Sequence, residues 1–111
     1  MRGPAVERRK EQRYIVIEMT ALVDGAPCTI LDISRTAVRL LRPDGFVEKE
    51  TPYSLVFETG KGGRRRLWAV GARFVRTTGV DFVLGYAPPS RRWEAMLRAR
   101  DTFQLSLLEP V

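Results

Sequence analysis

The chain has 111 residues, 44% of them apolar and 29% charged, the proportions of one small globular domain with a single core. It has no histidine and one cysteine, Cys28. That excludes an internal disulfide, a Cys-rich zinc site and every Ser-His or Cys-His nucleophile pair. A net charge of +6 points to an anionic partner. Residues 1–13, MRGPAVERRKEQR, contain no apolar h-region, so a secretory leader is not expected there. Residues 14–23, YIVIEMTALV, alternate with period two. Ile15, Ile17, Met19, Ala21 and Val23 are expected on the core side, with Tyr14, Glu18 and Thr20 on the other. Asp24-Gly25 is a hairpin turn signal, and a second strand is expected over residues 26–33. Residues 32–36 read as a polar turn, and residues 37–42 as a short third strand stopped by Pro43-Asp44-Gly45. Residues 53–59, YSLVFET, form a fourth strand, and residues 60–63 a flexible turn. Residues 65–76 form a long fifth strand with a bulge expected at Gly71, and residues 80–86 a sixth. After Pro88-Pro89, Ser90 is the expected N-cap of a helix over residues 90–102, with Trp93, Met96 and Leu97 on its apolar face. Residues 103–111 are apolar, end near Pro110 and give no clear element.

The pattern predicts an all-β domain: six short strands joined by tight turns, as a small antiparallel barrel or sandwich, with a C-terminal α-helix. Its expected parts are an arginine-rich arm over 1–13, the β-domain over 14–89, and the helix and tail over 90–111. The longest apolar run is only a few residues, so no segment is expected to insert in a membrane, and a cytoplasmic location follows. Charge is uneven: residues 1–13, 14–60 and 61–111 carry +3, −3 and +6. Only Lys10, Lys49 and Lys61 among the nineteen cations are lysines. Arginine forks suit phosphates and guanine edges, where a lysine offers a point charge. The arm has no apolar face with which to dock itself, so it is expected to be mobile until a ligand folds it over the barrel.

Two clusters can carry recognition. The first is Arg8-Arg9-Lys10-Glu11-Gln12-Arg13, in which Arg9 and Arg13 lie four apart and can converge on one anion. The second is Asp32-Ile33-Ser34-Arg35-Thr36-Ala37. An aspartate carboxylate matches the N1–H and N2–H₂ edge of guanine, while the bland reading of Asp32 and Ser34 is a turn that satisfies its own backbone. In order, Arg9-x-x-x-Arg13 and Asp32-x-Ser34-x-x-Ala37 resemble the paired motifs R-x-x-x-R and [D/N]-x-S-x-x-G of the PilZ domain family. Residues 71–76, GARFVR, and 79–82, GVDF, are similar to the family's closing hairpin. The resemblance covers roughly residues 7–87.

The resemblance implies a receptor for the bacterial second messenger cyclic di-GMP, on a six-stranded barrel. It implies that Arg9 and Arg13 grip phosphates and the O6 and N7 edges of the guanines, with Asp32 and Ser34 on the ligand's other side. Arg8 directly before the motif implies two mutually intercalated ligand molecules. Ala37 stands where the family has glycine, which implies weakened binding if the position needs a positive φ. No cofactor, metal or catalysis is expected; the partners are cyclic di-GMP and a downstream protein. A PilZ-like adaptor that does not bind the nucleotide is the alternative. Arg64, Arg65 and Arg66 beside Gly62-Gly63 also suit a small basic barrel that binds single-stranded nucleic acid, although nucleic acid is not the expected partner. Trp68, Trp93 and Tyr86 are expected as core or rim aromatics.

Overall fold

The computed structural model describes residues 11–61 and 64–102. Asp24 and Gly25 adopt φ of 50° and 85°, a turn whose twist matches a tight hairpin. They join β1 (Met19–Val23) to β2 (Ala26–Cys28), with Val23 opposite Ala26. β3 (Ile30–Ile33) follows after Thr29 alone, and β4 is Ala37–Leu41. The long hairpin β5 (Tyr53–Lys61) and β6 (Arg64–Thr77) leads to β7 (Asp81–Tyr86). All pairings are antiparallel, in the order β2-β1-β5-β6-β7-β4-β3. The two ends of that order are β2 and β3, which one residue separates in the chain. A sheet whose ends are covalent neighbours must curl on itself, and the result is a nearly closed barrel. Pro27, which has no N–H to give, sits in edge strand β2.

Seven strands form where six are expected, because residues 26–33 break at Thr29. Inward side chains from every side of the barrel, including Ala21, Val38, Leu40, Leu55, Phe57, Phe82 and Leu84, make the fully buried core. A helix, α1 (Trp93–Arg100), covers it with Trp93 and Leu97. Glu94 in the first turn and Arg98 and Arg100 in the last suit the helix dipole. The cap is Arg92, without a side-chain bond; Ser90 instead accepts from Trp93 N–H through its carbonyl (3.2 Å). No described helix is long and apolar enough to cross a membrane.

The first strand departs from the expected alternation. Tyr14 is 1% exposed, whereas Ile15 and Ile17 are 58% and 40% exposed. Glu18 has φ of 58°, which rotates the chain and reverses the phase before Met19. Residues 14–17 therefore leave the β1 ladder. Tyr14 bridges Ile33 and Val16 bridges Asp101, so this segment ties β3 to the end of α1. Gly71 keeps regular pairing with Ser54; the irregularity in β6 lies between Phe74 and Arg76.

Candidate functional site

A bulge builds the site. The register of β3 on β4 shifts between Ile30 and Asp32, giving Ile30 opposite Leu40, Asp32 opposite Arg39 and Ile33 opposite Val38. Leu31 is the extra residue. The shift lets Ile30 and Ile33 both face inward while Asp32 turns to the outer face beside Arg39. There, Asp32 Oδ1 accepts from Arg13 Nη1 at 2.7 Å, and Oδ2 accepts from Arg39 Nε (2.9 Å) and Nη2 (2.7 Å). Arg39 Nη1 also donates to Asp81 Oδ2 at 2.9 Å. The hydrogen bonds from Arg39, then Thr78, hold the Asp81 carboxyl below its ordinary range, and those same two carboxylates raise Arg39. Arg13, Asp32, Arg39 and Asp81 thus form one alternating chain of charge.

The adjoining turn is stitched to the arm as well. Ser34 N–H donates to Ala37 O (2.7 Å), and Ala37 N–H donates back to Ser34 Oγ (3.1 Å). Ser34 Oγ donates to Glu11 Oε1 (2.7 Å), and Thr36 Oγ1 donates to Glu11 Oε2 (2.6 Å). Burial pushes Glu11 up, but the bonds from Thr36 and Ser34 outweigh it and leave the carboxyl below its ordinary value. Beneath the turn, Trp93 Nε1 donates to Tyr86 Oη (2.7 Å), which donates to Ser34 O (2.6 Å). Burial raises the Tyr86 phenol well above its usual value, so it remains a neutral donor. Tyr14 Oη donates to Glu94 Oε2 at 2.9 Å. Two routes therefore join the site to α1.

Of the five residues predicted from sequence, Arg13, Asp32 and Ser34 come together; Arg8 and Arg9 lie outside the described residues. Glu11 and Arg13 rest on the barrel, so an unattached arm describes neither of them. Ala37 is not among the residues with positive φ, and it pairs regularly with Gly85 in the β4–β7 ladder. The Ser34–Ala37 bonds are those of a turn serving its own backbone. Sequence reasoning missed Glu11, Thr36, Arg39 and Asp81. Arg39 had one signal: it lies between the inward Val38 and Leu40, hence outward beside the turn.

Two further features frame the site. A Cβ at Gly85 would meet the Arg73 guanidinium at 3.0 Å, so glycine lets Arg73 lie across β7 next to Ala37. On the turn's other side, Arg35, Ser90, Arg91 and Glu94 line a cleft of about 450 Å³. Trp93 and Tyr86 are core, and Trp68 packs against it from the rim. Asp81 and Glu58 both pair with arginines, Arg39 and Arg65. No three His, Cys, Asp or Glu residues among those described cluster to hold a metal.

No family model matches the chain, and no curated protein matches it in sequence. Among solved structures it is similar to the Bacillus subtilis inhibitor of motility, MotI/DgrA, with a TM-score of 0.67 and 14% identity. The match covers 92% of this chain and 53% of that one, so this chain spans about half the length of its structural neighbour. That neighbour is a PilZ-domain protein, and the likeness gives this chain a PilZ-like fold.

Proposed function

We propose that this domain is a receptor for cyclic di-GMP, without catalytic activity of its own. The observation that supports it is the meeting of the two motif segments: Arg13 Nη1 lies 2.7 Å from Asp32 Oδ1, on the outer face of a PilZ-like barrel. Arg13 is 47% exposed there. A half-exposed ion pair is worth ~0–1 kcal/mol, whereas a charge-assisted bond to phosphate is worth roughly 1.5–3 kcal/mol. Arg13 therefore exchanges Asp32 for a phosphate at little cost. Arg39 keeps Asp32 in place during the exchange, and the freed Oδ1 accepts the N1–H of guanine. Arg8 and Arg9 complete the grip, on one ligand or on an intercalated pair. Displacing Glu11 from Ser34 and Thr36 moves the chain toward Tyr14, whose hydroxyl holds α1 through Glu94. That displacement changes the surface offered to a downstream protein.

One observation favours a second reading, an adaptor that does not bind the nucleotide. The Glu11 carboxylate occupies both turn hydroxyls and sets a negative charge where a phosphate would approach. Titration calorimetry with cyclic di-GMP, with GTP and a linear guanine dinucleotide as controls, separates the two. The receptor binds the cyclic dinucleotide selectively, and Glu11→Ala tightens that binding. The adaptor binds none of the three in either form.

A further inference from the structure

Opposed residues in an antiparallel ladder share a face. Leu55 and Phe57 of β5 face the core, so their partners Val70 and Trp68 do too, and Arg66, opposite Thr59, extends the stripe. The core ends before that stripe does. Trp68 meets the helix at Trp93, the two rings 5.3 Å apart between centroids and steeply inclined. Beyond it, Arg64, Arg65 and Arg66 are exposed. Between this overhang and α1 runs a groove of about 490 Å³, floored by Trp68 and Met96 and rimmed by Arg66, Arg91 and Arg92. It continues past Arg64 and Arg100, sharing the same Trp68 and Met96 floor.

The charge on the rim is largely uncompensated. Arg65 pairs with Glu58, and Arg100 lies 3.7 Å from Glu18. Among the described residues, no carboxylate pairs with Arg64, Arg66, Arg91 or Arg92. Arg66 instead lies over the Trp68 ring, 5.1 Å from its centroid. Such a collection of like charges around an apolar floor is not a stabilising arrangement, and it is complementary to carboxylates on either side of an apolar group.

We propose that this groove docks an acidic peptide segment of a partner protein. One apolar side chain seats on Trp68 and Met96, and flanking carboxylates pair with the forks of Arg66, Arg91 and Arg92. A stacked nucleobase fits less well. The Arg66 guanidinium lies over the Trp68 ring, where a base would have to stack, whereas a carboxylate can pair with that guanidinium where it stands. The proposal is independent of the nucleotide reading, because Arg13, Asp32 and Ser34 do not line the groove.

Fluorescence anisotropy tests it with a fluorescein-labelled peptide of one leucine-phenylalanine pair flanked on each side by glutamates. The comparison probes are an all-glutamate peptide of equal length, oligothymidylate, and phosphatidylglycerol vesicles. The variant is Arg91→Glu with Arg92→Glu; both side chains are exposed ahead of α1, and a circular-dichroism melt checks that the fold is kept. The expected result is binding of the mixed peptide over the all-glutamate one, weakened about tenfold or more by the double reversal. Equal binding of the two peptides, no effect of the reversal in a folded variant, or binding only of oligothymidylate or vesicles overturns the proposal.

Discussion

Arg13 Nη1 and Asp32 Oδ1 stand 2.7 Å apart across nineteen residues of chain. The contact brings the end of the arginine arm to the outer face of β3 and decides where a ligand could be shared by both. Its energetic role is small because Arg13 is half exposed. Arg13→Ala should therefore change unfolding free energy by about 1 kcal/mol or less in urea titrations. The same change should reduce affinity for cyclic di-GMP by more than about tenfold, the loss of at least one charge-assisted bond. A large drop in melting temperature would instead mark Arg13 as structural.

Arg39 differs from Arg13 in what it leaves behind. It supplies two hydrogen bonds to Asp32 and one to Asp81, and both carboxylates are nearly buried. Replacing it with leucine strips Asp32 of both bonds to Oδ2, at a cost of about 1–3 kcal/mol. Chemical denaturation should rank Arg39→Leu well below Arg13→Ala in stability. Equal stabilities would contradict the asymmetry.

Acid should loosen the arm. Glu11 titrates below its ordinary 4.5 and Asp81 below its ordinary 3.8 in the folded protein. Groups with depressed folded pKa values stabilise above their unfolded values and lose that contribution as pH falls through the folded ones. Stability should hold from neutrality to about pH 5 and decline below 4.5. Glu11→Gln should flatten part of that decline in denaturation series run from pH 7 to pH 3. An unchanged slope would show that Glu11 is not held as described.

Placing the glycine of the PilZ motif at Ala37 should gain nothing in the fold. Ala37 is not in a left-handed conformation and sits in a regular strand pair, so Ala37→Gly adds unfolded-state freedom without relieving strain. The expected loss is ~0.5–1 kcal/mol of stability. Calorimetric affinity for cyclic di-GMP should move by less than about fivefold, the effect of one methyl group. A gain in stability would mean that alanine is strained here.

Much of the barrel is legible because its signals are local. Asp24-Gly25 marks a hairpin by the positive φ it requires, and the apolar stretches of β5 and β7 announce themselves. The departures come from single residues that shift phase. Glu18 adopts a positive φ that its side chain gives no reason to expect, and it turns Ile15 and Ile17 outward. Leu31 reads as one more apolar strand residue, yet as a bulge it sets Asp32 opposite Arg39. The motif residues Arg13, Asp32 and Ser34 could be picked out by spacing. Alternation between Val38 and Leu40 places Arg39 outward, but only the hairpin register with its bulge sets it opposite Asp32. Glu11 was hidden for a related reason: inside a basic arm, a lone carboxylate reads as solvation.

Amide chemical-shift mapping during titration with cyclic di-GMP tests the central claim most directly. The account predicts that residues 11–14 and 32–37 shift together, with one common saturation curve, and that GTP at the same concentration leaves them in place. Shifts confined to one of the two segments, or equal shifts with GTP, would contradict it.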